Sequence, residues 1–108
     1  MSTYIAVSHL QPKEGLRDQL IELLREFAVS MHAEPGGIHY SVHQPIDDPS
    51  GPLTVVQAYS SVEAFEEHDA WMRSNVPSLA ALLASRPQPP VLHRQVPLSG
   101  HAKESFSA

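Results

Sequence analysis

The chain has no cysteine in its 108 residues, and only one tryptophan. Without thiols there are no disulfides, no thiolate zinc or iron–sulfur sites and no cysteine nucleophile. Cations are scarce as well: seven Lys and Arg stand against twelve Asp and Glu, for a net charge of −5. Those seven are scattered, whereas phosphate neutralisation needs them clustered, so no nucleic-acid partner is expected. No apolar run approaches the roughly 20 residues of a membrane span, so no membrane partner is expected either. The opening "MSTYIAVSHL" lacks the basic start and long apolar stretch of a secretory signal, which makes the cytoplasm the expected location.

What remains is an ordinary globular composition, 42% apolar and 18% charged. It suits one domain over residues 1–98, followed by a polar tail over 99–108, "SGHAKESFSA". Tyr4 to Leu10 reads as a strand, closed by the turn residues of "QPKEG". From Leu16 to His32, Leu16, Leu20, Leu23, Leu24, Phe27 and Met31 recur at steps of three and four, the period of an amphipathic helix. "EPGG" ends it. Ile38, Tyr40 and Val42 then alternate with His39, Ser41 and His43, predicting a strand that pairs across "PIDDPSGP" with a second over Leu53 to Tyr59. Ser60 and Glu63 have capping-box spacing and predict a helix start, with Val62, Ala64, Phe65 and Met72 on its apolar side. "SNVPSLAALLA" predicts a further helical piece with an apolar stripe of Leu79, Leu82 and Leu83, and Val91 to Leu98 a last strand.

The order β-α-β-β-α-β predicts an α+β, ferredoxin-like domain, with two helices on one face of a four-stranded antiparallel sheet. The other face would be polar if it met water, yet both alternating sets of the strands carry apolar members. Ile5 and Val7 alternate with Tyr4, Ala6 and Leu10; Val56 and Ala58 alternate with Leu53, Val55 and Tyr59. A homodimer that covers the second face is therefore expected.

"AEPGGIHYSVHQPIDDPSGPLTVVQAYSSVEAFEEH" resembles the antibiotic biosynthesis monooxygenase domain family. The matching positions are Glu34, Pro35, Gly36, Tyr40, Asp47, Asp48, Pro49, Tyr59, Ser61, Ala64 and His68. The resemblance implies a dimeric α+β barrel made from two sheets packed face to face, with a small-molecule pocket between sheet and helices in each protomer. Some members of that family oxidise phenolic polyketides with molecular oxygen as co-substrate and no metal or other cofactor; others act on quinols or degrade haem. Tyr59 stands where the family usually has tryptophan, and "DAWMRS" replaces the usual S-P-H-F after the helix histidine. The Asn, Trp and His of the haem-degrading relatives fall near Ser8 or His9, His68 and Ser78, so haem degradation is not expected.

On a helix, His68 follows Ala64 by four and Phe65 by three, with Trp71 and Met72 three and four beyond, which places the imidazole on the apolar side. Glu66 and Glu67 then point to water. An imidazole titrating near neutral pH is suited to take a proton from a phenol or enol, the step that lets an electron-rich substrate reduce oxygen itself. His68 is accordingly the candidate catalytic base, with Tyr40, Tyr59, Phe65, Trp71 and Met72 as candidate substrate-binding residues. Tyr40 or Tyr59 would donate to the anion and Trp71 would stack on a planar ring. Plain packing is the competing reading of His68, the two tyrosines and Trp71. His39 and His43 share one side of a strand about 13 Å apart, too far for one metal ion, so no metal is expected. A small planar aromatic, polyketide or quinol-like compound is the expected substrate. A binding module without turnover, or a non-oxidative isomerase using the same histidine, would present the same residues.

Overall fold

The computed structural model describes residues 2–100. His101 and most of the expected polar tail lie outside the described residues. The elements are β1 (Tyr4–Leu10), α1 (Arg17–His32), β2 (Gly37–His43), β3 (Leu53–Tyr59), α2 (Val62–Arg73), α3 (Val76–Ala80) and β4 (Val91–Arg94). The strands form one antiparallel sheet in the order β2-β3-β1-β4. That is the ferredoxin-like arrangement expected from the sequence.

The register divides the sheet into two faces. Tyr40 pairs with Gln57 and Gln57 with Ala6; Val42 pairs with Val55 and Val55 with Ser8. These residues, with Leu10, Leu53 and Tyr59, face the helices. α1 buries Leu20, Leu24, Phe27 and Met31, the spacing of one helix face, against them. The core joins Leu10, Leu20, Leu24, Phe27, Leu53, Val55 and Leu83. α2 covers the same face less tightly. Its one fully buried side chain is His68, while Phe65, Trp71 and Met72 are half-buried.

Three boundaries differ from the sequence expectation. The cap of α2 is Ser61, not Ser60: Ser61 has extended backbone and its Oγ accepts from the Ala64 N–H at 3.0 Å. Ser60 is engaged elsewhere, since its N–H donates to the Gly36 carbonyl at 3.0 Å. Helix α3 stops after five residues, because the chain beyond it is tied to the end of β1. Ala84 N–H donates to the Gln11 carbonyl at 2.8 Å and Lys13 N–H to the Leu82 carbonyl at 2.9 Å. β4 ends at Arg94 rather than Leu98. Gln95 N–H still reaches the Thr3 carbonyl at 2.8 Å, but β1 offers no further partner. Pro97 has no N–H to donate, and Leu98 turns away at a left-handed φ of 60°.

Candidate active site

α1 is followed by the turn "EPGG", and the two glycines let this turn lie directly on its neighbours. A Cβ on Gly36 would collide with the Cβ of Ala64, and one on Gly37 would come within 2.7 Å of the Met31 carbonyl oxygen and sulfur. Held there, the turn brings Glu34 alongside the residue one helical turn beyond Ala64, which is His68. The His68 Nδ1 lies 3.0 and 3.2 Å from the two Glu34 carboxylate oxygens. A carboxylate can only accept, so Nδ1 carries the hydrogen and donates it. The imidazole is 3% exposed and the carboxylate 27%. Nε2 is thereby left as the nitrogen available to a ligand, and the carboxylate stands ready to stabilise a positive charge on the ring.

Rings surround His68. Tyr59 lies 5.7 Å away centroid to centroid, Trp71 5.6 Å and Tyr40 6.5 Å. Trp71 also meets Phe27 edge-on at 5.5 Å, and Tyr59 meets Phe65 the same way at 5.5 Å. Because α2 does not seal the sheet, a cavity of about 160 Å³ remains between them. Its wall includes Phe27, Tyr40, Phe65, His68 and Met72, with Ser8 and Gln57 from the sheet. Asp69 and Arg73 also border it, ion-paired to each other at 3.1 Å. The proline-rich segment after α3 contributes Pro87, Gln88 and Pro90. Five residues, Val76, Leu79, Pro87, Gln88 and Pro90, also line an adjoining groove of about 610 Å³.

The candidates read from the sequence therefore separate into two sets. His68, Tyr40, Phe65 and Met72 line the cavity. Tyr59 and Trp71 are not part of its wall. Tyr59 is completely buried, and its O–H donates to Gln57 Oε1 at 2.5 Å; Trp71 backs the imidazole from the side of Phe27. Burial pushes the phenols of both Tyr40 and Tyr59 well above the ordinary tyrosine range, and for Tyr59 the nearby Glu34 adds to it. Both hydroxyls stay protonated at neutral pH.

Glu34, Ser8 and Gln57, like the bordering Asp69, Arg73 and Gln88, had no role in the sequence reading. Glu34 belonged to a recognised turn motif, with nothing in the chain to say which residue it would meet. Ser8 and Gln57 did carry a signal. Each is the polar member of an otherwise apolar alternating set, Tyr4, Ala6, Leu10 on β1 and Leu53, Val55, Tyr59 on β3. A polar residue on the buried face of a strand needs a partner or a ligand.

The histidines on the opposite sheet face do not converge on a metal. His39 Nε2 and His43 Nε2 both meet Ser41 Oγ, at 2.8 and 2.7 Å, and His9 Nδ1 meets Thr54 Oγ1 at 3.1 Å. Among the described residues no group of three or more His, Cys, Asp or Glu side chains has metal-binding geometry. No helix among them is long and apolar enough to cross a membrane.

Solved structures with the same fold include a conserved protein of Methanosarcina mazei Go1. It is 19% identical, with a TM-score of 0.79, the match covering 89% of this chain and 95% of that one. A Nitrosomonas europaea protein described as a candidate antibiotic biosynthesis monooxygenase is also 19% identical, at a TM-score of 0.77, covering 91% and 94%. Rv0793 of Mycobacterium tuberculosis is 21% identical at a TM-score of 0.70, covering 94% and 100%. No curated protein matches the sequence. The family model of the antibiotic biosynthesis monooxygenases matches residues 3–74, from β1 through α2, and so takes in three of the four strands, the glycine turn and the helix that carries His68. On that match, the chain belongs to the antibiotic biosynthesis monooxygenase family.

Proposed function

We propose that the protein is a monooxygenase that oxidises a one-ring phenol or quinol with molecular oxygen, without metal or prosthetic group. The observation that carries this reading is His68, paired with Glu34 behind it, on the wall of a small, mostly apolar cavity. A volume of about 160 Å³ suits a single ring, since a cavity of roughly 150 Å³ accommodates benzene. Larger substituents would extend into the adjoining groove beneath Pro87 and Pro90.

In the proposed reaction, His68 Nε2 takes the phenolic proton and Glu34 stabilises the resulting imidazolium. The anion is electron-rich at ring carbon, and that carbon reduces oxygen by forming a C–O bond. The imidazolium returns its proton to the peroxide oxygen. The O–O bond then breaks as the same carbon loses its hydrogen, leaving a ring carbonyl and releasing water. A phenol and one oxygen molecule thus give a quinone and one water, with no external reductant. The apolar wall limits access of water to the anion.

The test is oxygen uptake with one-ring phenols and hydroquinones, corrected for reaction without enzyme. His68→Ala should lower the enzymatic rate by about 10²- to 10⁴-fold, the usual contribution of a positioned base. Isomerisation without oxygen uptake, or tight binding without product across the series, would overturn the oxygenase reading. The uncovered sheet face, where Val7 is 40% and Val91 65% exposed, we read as the contact with a second copy of the chain.

A further inference from the structure

Gln57 sits on the helix-facing side of β3, between Ala6 of β1 and Tyr40 of β2 in register. It is half-buried and lines the cavity. A primary amide has one end that accepts and one that donates. In Gln57 the accepting end is committed, because Oε1 takes the O–H of Tyr59 at 2.5 Å. Tyr59 is completely buried and outside the cavity wall, so the end of the amide left for the cavity is the NH₂. Among the described residues this nitrogen has no protein hydrogen-bond partner, and it is not sealed from solvent. Burial holds the Tyr59 phenol protonated far above neutral pH, so the lock on the amide does not release under working conditions.

We infer that Gln57 is the anion-binding residue of the cavity: its Tyr59-locked NH₂ donates to the ionised oxygen of a phenolic ligand after His68 has taken the proton. This rests on the reading of the cavity as a phenol site, but not on the oxidation that follows. The site then holds one oxygen between an imidazolium and a neutral donor. A hydrogen bond to a charged oxygen is worth more than one to a neutral oxygen, so the amide favours the anion over the phenol. A carboxylate at this position would have the opposite effect. Tyr59 acts through Gln57 and is a positioning residue; it does not touch the ligand.

The test uses 4-nitrophenol, whose phenolate absorbs in the visible, and 4-nitroanisole, its neutral ether, as binding probes read by spectral titration across pH. The intact protein should bind the phenolate and lower the apparent pKa of the bound nitrophenol. Gln57→Glu keeps the size and the acceptor for Tyr59 and replaces the donor with a negatively charged oxygen. It should weaken phenolate binding by about 10- to 100-fold and raise the bound probe's pKa, with anisole affinity unchanged. Tyr59→Phe releases the amide and should give a smaller loss of the same sign. Gln57→Met removes the donor without adding charge and should give a loss of the same sign, which separates donor loss from charge repulsion. Undiminished phenolate binding in a folded Gln57 variant overturns the proposal, as does a wild-type protein that binds the anisole but not the phenolate. Phenolate binding that depends on Gln57, with no oxygen uptake on any phenol, would sustain this inference while removing the oxygenase reading.

Discussion

A buried histidine that serves only as packing satisfies both ring nitrogens within the protein or keeps one against apolar neighbours. His68 satisfies Nδ1 with a carboxylate and lines an open cavity, which is the arrangement a base requires. Glu34→Gln separates orientation from charge. The amide oxygen can still accept from Nδ1–H, but it no longer stabilises the imidazolium, so turnover should fall while the melting temperature stays near wild type. A rate that does not change would remove Glu34 from the reaction. The tyrosines give a pH prediction of their own. Their folded-state pKa values are raised above the ordinary value near 10, so the folded protein keeps protons that the unfolded chain releases. Stability is therefore fully present below pH 10 and is lost as the pH rises above it, by about 1.4 kcal/mol per unit for each such group. Urea midpoints should decline from about pH 10 upward, and Tyr59→Phe should decline less steeply. The inward side of His68 was legible from its distance to Phe65 and Met72. Its partner was not, because Glu34 lies 34 residues away along the chain and reaches it only through a fold-dependent glycine contact.

The elements owe their sequence legibility to local rules, and they depart from it where tertiary partners decide. β1, β2, β3 and α1 follow alternation or helical period, and their positions agree with the structure within a residue. α3 and β4 are shorter than their apolar patterns suggest, because the end of β1 takes up residues 82–84 and no strand remains to pair with Pro97. These two elements and the proline segment between them lie beyond the part of the chain the family model matches, yet they supply Val76, Leu79, Pro87 and Pro90 to the cavity and groove. Ligand choice is therefore expected to rest in part on residues outside the span that the family model matches. The turn at Gly36 offers the sharpest test at this scale. Gly36→Val must push the turn away from Ala64, and with it Glu34 from His68. Turnover and phenolate binding should both fall, accompanied by a loss of stability of about 1–3 kcal/mol for the overpacking. Ser61→Ala is the contrasting case. Loss of the cap should lower stability by about 1 kcal/mol and leave phenolate affinity unchanged, since the cap is seven residues from His68 along α2. Calorimetry and probe titration on the two variants would tell a displaced pair from a merely less stable helix.

At the scale of the whole molecule, the sheet presents two faces of opposite design. One is sealed by α1 and partly by α2. The other carries Ile5, Val7 and Val56 on its central strands and Val91 beside Val7 on the edge strand, with histidines toward its margins. His9 and His93 come from β1 and β4, His39 and His43 from β2, while β3 adds only the neutral Thr54, Val56 and Ala58. A second copy packed there would bury the valines and bring imidazoles toward an apolar surface. Burial, and secondarily the neighbouring His43, already lower the pKa of His39 within one protomer, and further burial acts in the same direction. The dimer would then bind fewer protons than two separated protomers, so acid should favour the protomers and assembly should weaken as the pH falls below about 6.5. Light scattering at neutral pH is expected to report a dimer, and at pH 5 a lower mass, without loss of far-ultraviolet helix signal. Val7→Glu should give the protomer at every pH, because it places a carboxylate in the middle of the buried face. A mass that stays at one protomer throughout would show that this face is not where copies meet, whereas a dimer indifferent to both acid and Val7→Glu would place the contact elsewhere on the molecule.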